Sequence, residues 1–248
     1  MKNWDIGYLV LCFVLICLFA FVCYFAGTTI GVSDPDPVPE VEDPQPQPQV
    51  QHGFDKETLD ALDELIKSLE QLEQELRKYN DLSDRTSLPE GVLACINAQA
   101  KANGYDPSES LGRIQLESNF DPDCVSLNKD ENGKVVSADI GLMQINSETA
   151  PWLWGVVMDT PYDPTLEVAE GIYIDERLFD PVANIKMGSW YYGSFLRQYN
   201  GDREKANTAY NRGPGGLNVW IASRGTARSP YSDRVMGLAD KWTSIDEI

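Results

Sequence analysis

The fold class that the sequence predicts is mainly α, a helical domain preceded by a transmembrane helix and a coiled-coil segment. Three observations carry this reading. Helix start signals (Pro, Asp) and stop signals (Gly) recur through residues 87–248. No alternation of apolar and polar residues there exceeds a few positions. The chain ahead of them changes composition abruptly, from uncharged to Pro/Gln-rich to leucine-periodic.

Residues 7–26 read GYLVLCFVLICLFAFVCYFA, without a charge. A helix of this length spans about 30 Å, the hydrocarbon thickness of a bilayer, so residues 1–27 are expected to be an N-terminal membrane anchor. A cleaved signal peptide is the rival. Its apolar region is shorter, about 7–15 residues, and closes on a small-x-small site; here Tyr24 stands two residues before Ala26. None of Cys12, Cys17 and Cys23 follows the small residue that a lipoprotein signal needs. The amino terminus and Lys2 favour the cytoplasmic side, against Asp5, which makes the chain a single-pass membrane protein with its globular part on the extracytoplasmic side. In an oxidising compartment Cys95 and Cys124 could pair, and two free thiols are the alternative.

Residues 28–53 include DPDPVPEVEDPQPQPQVQ, too poor in apolar surface to fold, and are expected to be an acidic Pro/Gln-rich linker partly in polyproline II. His52 lies in this run as a solvated linker residue. Residues 54–82 change character. Leu62, Leu65, Leu69, Leu72, Leu76 and Tyr79 are spaced 3, 4, 3, 4 and 3 apart, a heptad seam with Glu, Gln and Lys between. So short a seam fits either a homodimer or partner protein held through residues 54–80, or a helix docked on its own downstream domain.

The globular part, residues 87–248, is large enough for one core. Pro89 opens a helix that ends at Asn103-Gly104, and Pro107 opens another that stops before Asp121-Pro122. Pro181 follows Asp180 at the start of a third, with Gly188, Tyr192, Phe195 and Tyr199 at helical spacing. Asp202 caps a fourth, ended by Gly213-Pro214. Asn132-Gly133 marks at most a short hairpin.

The 39 acidic and 20 basic residues leave a net charge of −19. That argues against nucleic acid and against a peripheral anchor on anionic lipid. With His52 in the linker, Ser-His-Asp, Cys-His and multi-His zinc chemistry fall away. No metal and no other cofactor is expected. The remaining acid/base tool is a carboxyl with a raised pKa. On the helix from Pro107, residues Leu111, Ile114 and Ser118 mark the inward stripe at 100° per residue. Glu117 lies at the edge of that stripe, while Glu109 reads as pointing the opposite way. Glu117 also sits in the last turn, whose unpaired carbonyls disfavour a carboxylate, and partial burial acts in the same direction.

Four motifs follow in order: Glu117-Ser118-Asn119-Phe120-Asp121-Pro122; Gly141-Leu142-Met143-Gln144-Ile145-Asn146; Asp180-Pro181-Val182-Ala183-Asn184-Ile185 with Gly188; and Ala209-Tyr210-Asn211-Arg212-Gly213-Pro214-Gly215. Together, over residues 88–241, they resemble the catalytic domain of lytic transglycosylases, the SLT type of the lysozyme-like superfamily. The resemblance implies a lysozyme-like α-helical domain with a small β-hairpin or loop insertion. It implies cleavage of peptidoglycan glycan strands at the MurNAc–GlcNAc linkage, and it assigns Glu117 as the single catalytic acid/base. Met143 and Gln144 match the segment lining the glycan groove, Tyr210 and Asn211 the residues that orient the sugar and the acid, and Ser126 a substrate-contacting serine. Leu142, Met143 and Ile145 are also natural core residues.

Ordinary glycosidases use two carboxyls. A lytic transglycosylase needs one, because the C6 hydroxyl of the sugar attacks C1 and leaves a 1,6-anhydro end; the intramolecular nucleophile has a high effective concentration. Related goose-type lysozymes carry an Asp where this chain has Asn146, which leans toward the non-hydrolytic reaction. Asp139, as a possible second carboxylate, or Asp130 keeps a muramidase open, and a noncatalytic glycan-binding scaffold is the third reading. No Glu in residues 224–231 matches a further groove acid of some relatives. Two stretches are longer than in soluble relatives, residues 127–138 and 147–179. The second carries Trp152, Trp154 and Tyr162, which fit a lid, a sugar platform or a satellite hydrophobic cluster.

Overall fold

The structure, a computed structural model, describes residues 55–242. The chain divides into two compact units, Met1–Leu76 and Arg77–Ile248. The apolar stretch at residues 7–26, the linker and His52 lie outside the described residues. Among the described residues, no helix is long and apolar enough to cross a membrane.

The described part of the first unit belongs to helix α1 (Lys56–Thr86). Along it Leu62, Leu65 and Leu72 of the heptad seam are exposed, as are Leu59 and Ile66 beside them. In the second unit the last turns of α1 join the core. Leu82 and Thr86 are buried, and Asn97 Nδ2 donates to the Tyr79 hydroxyl at 3.2 Å. This end of the helix docks on its own chain, and it runs four residues past the expected end at Leu82.

Helix α2 (Glu90–Ala102) and helix α3 (Pro107–Glu117) start and stop where their prolines and the Asn103-Gly104 pair direct. Asp106 caps α3 by accepting from Ser108 N at 2.8 Å. The chain then leaves α3 through two left-handed residues, Asn119 and Phe120. In place of at most one hairpin there is a three-stranded antiparallel sheet, β1 (Val125–Lys129), β2 (Val135–Ile140) and β3 (Ile145–Asn146), in that order. Asp130 shapes the β1–β2 turn, its Oδ1 accepting from Asn132 N and Lys134 N at 2.9 Å each. That turn role takes it away from acid/base chemistry.

The second insertion folds into helix α4 (Ala150–Val157), a ribbon of β4 (Leu166–Ala169) and β5 (Ile172–Ile174), and a 3-10 turn (Glu176–Phe179). Helix α5 (Pro181–Gln198) follows its Asp180 cap. Helix α6 (Arg203–Arg224) does not finish at Gly213: it kinks there, at φ 70 and ψ 165, and Pro214 begins a second helical stretch. Helix α7 (Pro230–Ala239), absent from the sequence reading, starts on a Ser229 cap. One core cluster joins Ile96, Ile114, Leu142, Leu153, Trp154 and Ile185. A second joins Tyr105, Tyr192, Phe195, Ala209 and Leu217. Cys95 and Cys124 are both free thiols.

Candidate active site

A cleft of about 400 Å³ opens where the end of α3, the sheet, α5 and the kink of α6 meet. Glu117, Asp139, Gln144, Tyr210 and Asn211 all line it.

Local chemistry fixes each of them. Ser118, next to the acid, donates its hydroxyl to Leu142 O at 2.9 Å and so ties the end of α3 to the Gly141–Gln144 turn. Asn184 brackets that turn from α5. Its Nδ2 donates to Ile140 O and Leu178 O, and its Oδ1 accepts from Met143 N at 2.8 Å. Gly141 has φ near 75, and a Cβ there would come within 2.5 Å of the Asn184 amide, so glycine is required twice over. Gln144 takes a left-handed conformation, φ 48, and its Nε2 donates to Cys124 O and Gly141 O.

Glu117 accepts a 2.5 Å hydrogen bond from the Tyr231 hydroxyl. Burial pushes its carboxyl up to about 7, against the opposing pull of the Tyr231 bond and the Arg113 charge, with Asp139 adding to the upward push. Burial likewise holds the Tyr210 and Tyr231 phenols well above their ordinary range, so both stay neutral donors. The Tyr210 hydroxyl donates a hydrogen bond to Met143 O at 2.8 Å.

Arg113 lies one turn before Glu117 and is 0% exposed. Its guanidinium stacks 3.6 Å from the Tyr192 ring and 4.9 Å from the Tyr210 ring, and Nη2 donates to Asn207 Oδ1 at 2.7 Å. Burial works against its charge, and the faces of the Tyr192 and Tyr210 rings together with the Asn207 amide oxygen are what it meets instead of water. Glu109 does not point away from the core. It is 3% exposed, accepting from the Tyr192 hydroxyl at 2.6 Å and pairing with Arg203 at 2.7 Å. These partners satisfy the carboxylate and make its burial tolerable.

Two of the remaining assigned residues, Met143 and Ser126, fall outside the cleft lining. Met143 is fully buried, its side chain against Gly188, where an added Cβ would meet Sδ at 2.5 Å; it offers the site only its carbonyl. Ser126 is exposed on β1 opposite Asp139 and is not part of the cleft wall. Asp139 is held on both oxygens, by Asn146 Nδ2 at 2.7 Å and Asn128 Nδ2 at 2.9 Å. Trp154 and Tyr162 form a packed cluster: the Trp154 indole donates to Thr160 O at 2.7 Å and Arg177 covers its ring. The sequence reading missed Tyr231, Arg113 and Asn128. Only Arg113 had a local signal, its i−4 spacing from Glu117. Among the described residues, no group of three or more His, Cys, Asp or Glu could hold a metal.

This is a helical domain with a half-buried acid in the wall of a polar cleft. The family model for the transglycosylase SLT domain matches residues 94–230, and the chain belongs to that family. Among solved structures, an inactive variant of lytic transglycosylase Slt from Pseudomonas aeruginosa is similar at 24% identity and TM-score 0.44, over 62% of this chain and 24% of that one. The 70 kDa soluble lytic transglycosylase of Escherichia coli is similar at 20% identity, with the same TM-score and coverage. A complex of the 70-kDa soluble lytic transglycosylase with bulgecin A matches at 19%, again at TM-score 0.44 over 62% and 24% of the two chains. The chain thus spans about a quarter of the length of these structures. A search of curated proteins gave no match.

Proposed function

We propose that the chain is a peptidoglycan lytic transglycosylase that cleaves the β-1,4 bond between MurNAc and GlcNAc and leaves 1,6-anhydro-MurNAc ends. The observation that carries this reading is the Glu117 carboxyl in the cleft wall, held on a 2.5 Å bond from Tyr231 in a chain of the SLT family. In this mechanism Glu117 gives its proton to the glycosidic oxygen as the C1–O bond breaks. The resulting carboxylate takes the proton of the C6 hydroxyl, whose oxygen bonds to C1. The acid is regenerated, and no water is consumed. Gln144, Tyr210 and Asn211 hold the sugar, and residues 7–26 tether the domain to the membrane with the cleft on the extracytoplasmic side.

Asp139 lines the same cleft and favours a second reading, hydrolysis by a water it directs. Its two amide partners support a sheet-bracing role instead. Digestion of peptidoglycan in heavy-oxygen water separates the two by mass spectrometry. Anhydro ends without label are expected; labelled MurNAc ends would make the chain a muramidase.

A further inference from the structure

Of Trp152, Trp154 and Tyr162 in the second insertion, packing absorbs the last two and leaves Trp152 outside it. Trp152 is 54% exposed, while Trp154 is buried. Edge-on contacts brace Trp152 from below, with ring centroids 5.9 Å from Trp190 and 6.3 Å from Tyr191. Tyr191 continues to Tyr210 at 5.5 Å, and both of these tyrosines line the cleft. Thr149, the residue ahead of α4, and Leu153, next to Trp152 on it, line it too. The rings therefore form an unbroken row from the chamber of Glu117 to a surface indole. Among the described residues no hydrogen bond engages the indole N–H of Trp152.

Such a surface suits one ligand chemistry. A β-linked pyranose presents a flat face of C–H groups with hydroxyls at its rim. That face stacks on an indole, and a free N–H at the indole edge can meet a hydroxyl. The cleft itself is walled mainly by polar side chains, so the indole extends the little ring surface that Tyr191 and Tyr210 offer there. We infer that Trp152, braced by Trp190 and Tyr191, is an additional glycan subsite that stacks a further ring of a strand leaving the cleft. The inference rests on the reading of that cleft as a glycan groove.

The test uses the full chain and its Trp152→Ala and Trp152→Phe variants, titrated calorimetrically with soluble β-1,4-linked GlcNAc oligomers of increasing length. Affinity should rise with length once the oligomer reaches the platform. Trp152→Ala should lose that rise, about tenfold for the longest oligomers, with the shortest unchanged. Trp152→Phe should retain most of it, and all three chains should melt alike. Equal affinities for the unsubstituted chain and Trp152→Ala at every length would overturn the subsite. So would a change of sedimentation mass in Trp152→Ala without a change of glycan affinity, which would make the indole a contact between copies. If no oligomer bound the unsubstituted chain, the groove reading itself would fall and the subsite with it.

Discussion

At the scale of single residues, the proposed chemistry turns on the Glu117 carboxyl, which burial raises to about 7. Only the protonated form can donate, so activity should decline as pH rises through about 7. Stability carries the same signature. A carboxyl raised by folding stabilises the native state fully below the ordinary carboxyl range, and that contribution is lost as pH rises through about 7. Glu117→Gln should therefore melt close to the unsubstituted chain in acid and above it beyond pH 7, while muropeptide release falls by at least about a hundredfold. Retained release would remove Glu117 from the acid role. Tyr231→Phe deletes a bond that favours the anion, so the high-pH limb should move upward; a limb that stays put would leave Tyr231 a packing residue. Glu117, Gln144, Tyr210 and Asn211 were legible because their motifs come in a fixed order, and the fold gathers them on one cleft. Tyr231 was not, since residues 224–231 hold no Glu and the group that meets the acid from the first turn of α7 is a phenol. Arg113 was missed because a helix wheel weighs apolar positions, and its face is apolar only through tyrosines contributed by other elements.

At the scale of elements, α3 and α7 approach so closely that a Cβ on Gly112 would lie 2.6 Å from Ala239 N and 2.8 Å from Val235 O. Replacing an interior helical glycine by alanine ordinarily gains about 0.5–1 kcal/mol. Here both obstacles are backbone, so Gly112→Ala should instead cost roughly 1–3 kcal/mol, read as a lower denaturant midpoint. Because α3 carries Glu117 and α7 carries Tyr231, the same substitution should raise the high-pH limb of activity. An unchanged midpoint would show that the helices can part freely. The helix boundaries were legible wherever a cap or first-turn proline announced them, as at Pro107, Asp180 and Asp202. The sheet was not: β1 reads Val-Ser-Leu-Asn-Lys with exposed residues on both faces, and β3 is two residues long. Their pairing is set by side-chain bonds among Asn128, Ser137, Asp139 and Asn146, which no hydrophobic period records.

At the scale of the whole chain, a membrane tether would confine the domain to the strands within reach of its linker. Fractionation should recover the full chain with membranes, its C-terminal domain open to protease from outside; a soluble form beginning near Gly27 would identify a cleaved signal instead. Activity should also survive a chelator, since the acid needs no metal to act. The contacts that make the acid have a temporal consequence. Glu117 meets Tyr231 across 114 positions of sequence, Arg113 meets Asn207 across 94, and Glu109 meets Tyr192 across 83. Before those closures α3 is an ordinary polar helix with a hydrated, ionised glutamate. Helices form fast and locally, whereas contacts this distant wait for most of the chain to assemble. On refolding, the helical signal should therefore return first and glycan cleavage last, because a partly folded chain has not yet closed the bonds that bury Glu117.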